Sequence, residues 1–142
     1  MKLVKHILDS KGDQIWHIRP DESVFEAIRL MAEKGVGALL VMEEEDLIGI
    51  VSERDYARKV ILQGKSSRQT PVKEIMTAEV VCTSPDQTVE DCMALMTDNR
   101  IRHLPITADD RIVGVLSIGD LVKAIIAEQQ FTIEQLEQYI SA

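Results

Sequence analysis

The sequence predicts a mixed α/β (α+β) fold built from two tandem β-α-β-β-α repeats. Three observations point there. Shifted by 65 positions, residues 20–55 align with residues 85–120 without a gap, and nine of the 36 pairs are identical, which marks a duplicated structural unit. In both halves a short apolar run leads into Pro-Asp, then into apolar residues at helical spacing, then into two further short apolar runs. At 142 residues, with 45% hydrophobic and 28% charged residues, the chain has the balance of a globular protein that buries a core without disulfides or a structural metal.

The elements follow in order. Residues 15–18 and 80–83 read as the first strand of each repeat. Val24, Ala27, Ile28 and Met31 recur at helical spacing, and Ser23 with Glu26, like Thr88 with Asp91, has the spacing of a capping box at the helix start. Residues 38–42 and 47–51, joined by an acidic turn, read as a hairpin, with residues 103–107 and 112–116 as its counterpart. A second helix begins at Ser52 and again at Ser117. Residues 63–70 are polar, with glycine and serine, as befits a linker, and residues 71–76 form a helical turn with proline at its first position. Residues 132–140 read as a separate last helix with Ile133, Leu136 and Ile140 on one face. The expected division is a first repeat with its lead-in at 1–63, a linker at 64–71, a second repeat at 72–128 and a C-terminal helix at 129–142.

Several function classes are disfavoured. The two cysteines, Cys82 and Cys92, form no C-x-x-C pair and no histidines cluster with them, so neither a metal nor redox chemistry is expected. A net charge of −8 repels polyphosphate backbones, which argues against nucleic acid as partner. No apolar run has the length of a membrane span, and the opening MKLVKHILDSKGD lacks the pattern of a secretory leader, so the expectation is a cytoplasmic protein with no membrane partner. No nucleophile, base pair or metal constellation suggests an enzyme, and no catalytic cofactor is expected.

The informative element is a strand-to-helix junction that occurs twice, Gly49-Ile-Val-Ser52-Glu-Arg-Asp55 and Gly114-Val-Leu-Ser117-Ile-Gly-Asp120. Glycine lets another group approach the backbone. Serine at a helix start offers a hydroxyl beside unpaired N–H groups, which suits a phosphate oxygen. An aspartate three residues on can accept hydrogen bonds from the vicinal hydroxyls of a ribose. Ser-x-x-Asp is equally a capping box that needs no ligand. Arg54 within the first junction and the basic stretch Arg100, Arg102 and His103 favour the phosphate reading, because a guanidinium fork matches phosphate oxygens. For Arg54 the plain alternative is a surface ion pair with Glu53 or Glu45. His103 has no metal-ligand or nucleophile partner at suitable spacing and reads as packed or phosphate-facing.

Together the segments SERDYARKV, VKEIMT, RIRHLPI and GVLSIGDLVK are specific, and over residues 4–123 the chain resembles the cystathionine-β-synthase (CBS) domain family, in particular its two-repeat Bateman modules. The resemblance implies two repeats packed through their sheets with pseudo-twofold symmetry and a pair of clefts each built from both halves. It implies a regulatory module that binds an adenine nucleotide, AMP first, with NAD(H), ADP, ATP or S-adenosylmethionine as alternatives, and signals to a regulated protein through ligand-dependent shape. Carried over by position, Asp55 and Asp120 would hold ribose, Ser52 and Ser117 phosphate, with Arg54, Arg102 and His103 adding phosphate contacts. The backbone near Ile15, Trp16 and His17, and near Val80, Val81 and Cys82, would read adenine, helped by Ile75, Met76 and Thr77. The second junction has Gly119 where the first has Arg54, and the first repeat has Gly37-Ala38 where the second has Arg102-His103, so the two sites should differ in affinity. A homodimer is expected as well, since Leu121, Val122, Ile125, Ile126, Ile133, Leu136 and Ile140 exceed what one small core needs. The alternative function is a ligand-independent dimerisation or scaffold module.

Overall fold

A computed structural model describes residues 2–12 and 14–141. The elements run α1 (Val4–Lys11), β1 (His17–Ile18), α2 (Val24–Lys34), β2 (Ala38–Glu43), β3 (Asp46–Ser52), α3 (Glu53–Tyr56, continued by a π-helical turn Ala57–Ile61), a 3₁₀ turn Val72–Glu74, α4 (Val89–Asn99), β4 (His103–Ala108), β5 (Arg111–Ser117) and α5 (Ile118–Ser141).

The compact units differ from the sequence repeats. One unit is residues 15–80; the other joins residues 1–14 to residues 81–142. The expected boundaries at 63/64 and 71/72 therefore do not separate compact bodies, and the reason lies in backbone hydrogen bonds. In the 15–80 unit, the segment expected to be a linker is bonded to the start of α2: Val24 N–H donates to Thr70 O and Phe25 N–H to Ser67 O. Val72 N–H then donates to Glu22 O and Lys73 N–H to Pro20 O. The other unit repeats this pattern with residues 2–5, where Val89 N–H donates to Lys2 O, Val4 N–H to Gln87 O and Lys5 N–H to Pro85 O. Val4-Lys-His-Ile-Leu8 thus takes the place that Val72-Lys-Glu-Ile-Met76 takes in the first. Val4 and Val72 are wholly buried, and Ile7 and Ile75 nearly so. Each repeat's leading segment completes the unit that carries the other repeat's body.

In the 15–80 unit the sheet order is β1-β2-β3, with β1 parallel to β2 and β2 antiparallel to β3. The strand expected over residues 15–18 is confined to His17–Ile18, although Trp16 O still accepts from Leu40 N–H. Ser23 caps α2 through Glu26 N–H, and Gly35 ends it in the left-handed conformation, its N–H donating to Met31 O. Ile18, Val24, Ala27, Met31, Leu39, Val41, Val51, Val60, Val72 and Ile75 form the core.

The second unit has the two-stranded sheet β4-β5, and its hairpin turns through Asp109 and Asp110, both at positive φ as a two-residue I′ turn requires. In place of the strand expected over residues 80–83 there is a parallel bridge, Thr83 to Ile106, in which Thr83 N–H donates to Pro105 O and Thr107 N–H to Thr83 O. Its core is Val4, Ile7, Val89, Cys92, Met96, Leu104, Ile106, Leu116, Leu121 and Ala124. The last helix expected at 132–140 is instead the continuation of α5, which runs unbroken over 24 residues. No glycine or proline lies between Leu121 and Ser141 to stop it. The expected first-position proline sits one residue outside its turn, with Pro71 as the N-cap. Among the described residues no helix is long and apolar enough to cross a membrane.

Candidate ligand-binding junctions

In each unit the hairpin register sets the junction at one end of the sheet. Ser52 pairs with Ala38 and Ser117 with His103, and the first amide of the following helix returns to the adjacent strand, Glu53 N–H to Gly37 O and Ile118 N–H to Arg102 O. Because β1 runs parallel to β2 with His17 opposite Leu40, Ile15 and Trp16 lie towards that same end. Sheet geometry thus gathers Ile15, Trp16, Ser52, Arg54 and Asp55 at one end of the first unit, and Arg102, His103, Ser117 and Asp120 at one end of the second.

Both junctions are formed as caps. Ser52 donates from its backbone N–H to Asp55 Oδ2 at 2.9 Å and from its hydroxyl at 3.1 Å, while Asp55 N–H donates back to Ser52 Oγ at 3.2 Å. Ser117 N–H donates to Asp120 Oδ2 at 2.8 Å, and Asp120 N–H to Ser117 Oγ at 3.2 Å. A lysine completes each. Lys59 Nζ lies 3.2 Å from Asp55 Oδ1 and donates to Ile75 O at 2.9 Å. Lys11 Nζ donates to Asp120 Oδ2 at 2.6 Å and to Val115 O at 2.7 Å. Neither lysine is singled out by the sequence reading. Lys59 is one helical turn beyond Asp55, a spacing that could have flagged it, whereas no local signal connects Lys11 with Asp120.

Electrostatics differ between the two. Burial raises the Asp120 carboxyl, but the Lys11 hydrogen bond, the Ser117 amide, the Lys11 charge and the Ser117 hydroxyl outweigh it and hold the group below the ordinary carboxylate value. His103 is pushed below the ordinary histidine value by burial first, then by the Lys11 charge, against Asp120 and with Arg102 adding to the effect. It is therefore neutral at pH 7, an acceptor or donor and not a fixed cation. Arg54 and Arg102 are exposed, and among the described residues Arg54 forms no ion pair with Glu53 or Glu45.

The two glycines do what a missing Cβ allows. At Gly49 a Cβ would come within 2.5 Å of Met76 Sδ and 3.1 Å of Thr77 O, and at Gly114 within 2.5 Å of Leu8 Cδ2. The group that approaches each backbone is a side chain of the leading segment. Ile75 is buried in the core, Met76 packs over Gly49, and the N–H and O of Thr77 are both bonded to Ile50. Trp16 packs against the core under the ammonium of Lys34, 4.5 Å from the ring centroid, while His17 is exposed. Val80 ends one unit and Val81 and Cys82 open the other, all three half-buried. Burial raises the thiols of Cys82 and Cys92, the latter helped by Asp91, so both are protonated at neutral pH. Among the described residues no three His, Cys, Asp or Glu side chains group as metal ligands.

A duplicated α/β unit whose two strand-to-helix junctions carry the same glycine, serine and aspartate is the signature of one class of tandem-repeat domain. Residues 4–61 and 72–127 each match the CBS domain, and the chain belongs to the CBS domain family. It is 41% identical to the CBS domain-containing protein CBSX3, mitochondrial, of Arabidopsis thaliana, over 96% of this chain and 71% of that protein. Among solved structures it is similar to a protein with CBS domains from Burkholderia ambifaria MC40-6, at 52% identity and a TM-score of 0.87, covering 93% of this chain and 99% of the other. It is also similar to the CBS domain pair of protein MJ0100 in complex with 5′-methylthioadenosine and S-adenosyl-L-methionine, at 25% identity and a TM-score of 0.80, covering 90% and 98%.

Proposed function

We propose that the chain is a regulatory module that binds an adenine nucleotide, AMP foremost, and transmits its occupancy by a change of shape without chemical turnover. The observation that carries this reading is the likeness to a CBS pair solved with two adenosine-containing ligands, combined with a serine hydroxyl and an aspartate carboxylate fixed at one sheet end in each unit. On this reading Asp55 and Asp120 accept from ribose hydroxyls, Ser52 and Ser117 donate to phosphate, and Arg54, Arg102 and His103 add phosphate contacts. Adenine is read by the peptides around Ile15, Trp16 and His17 and around Val80, Val81 and Cys82. The module acts as a homodimer in the cytoplasm, and a regulated protein reads the ligand-dependent population.

One observation favours the rival reading, a ligand-independent scaffold: both aspartates are already satisfied by serine and lysine. Thermal unfolding decides. A ligand that binds only the folded state raises the melting temperature by mass action, so AMP, ADP, ATP, NAD(H) or S-adenosylmethionine at millimolar concentration should shift it. No shift with any of them establishes the scaffold. Release of a converted nucleotide during incubation would establish an enzyme instead.

A further inference from the structure

Helical periodicity in α1 decides where Lys11 goes. Val4, Ile7 and Leu8 pack into the core of the second unit, and Lys11, seven residues after Val4, falls on the same stripe of the helix. Leu8 lies against Gly114, so the next turn of α1 comes down beside Val115. Gly12, at φ 95°, ends the helix there, its N–H donating to Leu8 O. From this last helical position the Lys11 ammonium reaches the second junction, donating to Val115 O at 2.7 Å and to Asp120 Oδ2 at 2.6 Å. His103 pairs with Ser117 across the hairpin, and the Lys11 charge is one of the causes that depress its proton affinity. The first junction carries Arg54 within its own stretch of chain, whereas the second has Gly119 at that position. Lys11, from the leading segment, returns a cation to the junction that lacks one.

We propose that Lys11 sets the charge selectivity of the second junction, favouring adenosine ligands with an anionic 5′ group over neutral or cationic ones. This deepens the nucleotide-binding reading and rests on it. Vicinal ribose hydroxyls engage both oxygens of a carboxylate, and Asp120 Oδ2 already receives the Lys11 ammonium and the Ser117 amide. A ribose seated on Asp120 therefore takes over part of the negative charge that compensates Lys11. The Asp120 and Lys11 side chains are only 20% and 39% exposed, so water does not fully replace that partner. A 5′ phosphate does: the flexible lysine stem lets the ammonium turn from Oδ2 to a phosphate oxygen, and its three donors let it keep Val115 O meanwhile. A 5′ thioether leaves the ammonium without an anion, and a 5′ sulfonium adds a second positive charge beside it. His103, neutral at pH 7, does not supply the charge in its place.

Calorimetric titration of the full chain with AMP and with 5′-methylthioadenosine, the same nucleoside with an uncharged 5′ group, tests this as a ratio of two dissociation constants. The titrations are run on Asp55→Asn protein, in which Asp120 is the junction aspartate left intact, with circular dichroism to show that each variant is folded. With Lys11 in place, AMP should bind at least about tenfold tighter than 5′-methylthioadenosine, equivalent to ~1.4 kcal/mol. Lys11→Gln and Lys11→Met should bring the ratio towards one, weakening AMP and, with Oδ2 vacated, tightening 5′-methylthioadenosine. Lys11→Arg should keep most of the preference, since the charge is retained. A ratio near one with Lys11 in place, or one unchanged in both neutral variants, overturns the role of Lys11 while nucleotide binding stands; so does an equal loss of both ligands, which marks Lys11 as a support of the fold alone. Binding of neither ligand, by the unaltered chain or by the neutral variants, overturns the selectivity and the nucleotide reading together.

Discussion

Lys11 and Asp120 stand 109 positions apart in the chain, and their charged groups meet at 2.6 Å. The ammonium and the Ser117 cap hold the carboxylate ionised below its ordinary range. Such a group contributes stability above the unfolded carboxylate value, and loses it as pH falls through the lower folded value. His103, also depressed, loses its contribution first, as pH falls from the ordinary histidine value to its folded one. Urea midpoints followed from pH 7 downward should therefore fall in two stages, and Asp120→Asn should flatten the later, more acidic one. Parallel acid limbs for wild type and Asp120→Asn would remove the pair from the stability account.

The same aspartates separate ribose recognition from capping. Asp55→Asn and Asp120→Asn keep the shape of the cap but weaken acceptance from hydroxyls, and hydrogen bonds to a charged group are worth ~1.5–3 kcal/mol. Calorimetric titration with AMP should show about tenfold weaker binding or more at the altered junction. Variants that lose stability while binding AMP as the wild type does would assign both aspartates to capping alone.

Glycine at positions 49 and 114 should be needed to different degrees. Alanine at 49 meets Met76 and also Thr77 O, which accepts from Ile50 N–H while Thr77 N–H donates back to Ile50 O, so relief requires the sheet edge to move. Alanine at 114 meets only the flexible end of Leu8. Overpacking of this kind costs ~1–3 kcal/mol, with Gly49→Ala at the upper end and Gly114→Ala at the lower. Thermal denaturation of the two variants checks the order, and a costlier Gly114→Ala would contradict the geometry.

Much of the architecture was legible because hairpins and capped helices are local. Residues 38–52 and 103–117 carry their pairing in a short stretch of chain, and Ser23 and Thr88 announce the helices beside them. What escaped was non-local. The repeat at offset 65 begins at Pro20, and a second register lies outside it, in which Val4-Lys-His-Ile-Leu8 matches Val72-Lys-Glu-Ile-Met76 at offset 68. Within the offset-65 register alone, residues 4–11 carry no assigned element and residues 63–70 read as a linker. The junction residues were visible as a spacing, but their lysine partners were not, since only the folded chain brings Lys11 to Asp120. Helix α5 was divided in two because its apolar positions change face near Ile126, a change that reflects where the helix leaves its own core and involves no break in the backbone.

The exchange of leading segments also orders the events of synthesis. Residues 15–80 are contiguous, so that unit has all its parts once Val80 has left the ribosome. Residues 2–11 belong to a unit whose remaining strands and helices are made last, and until then Val4, Ile7 and Leu8 have no pocket to fill. During translation that segment is an apolar stretch held in waiting, and closing it against residues 85–121 joins contacts far apart in sequence, the kind that slows folding most. A chaperone that catches nascent apolar segments would find an opportunity there.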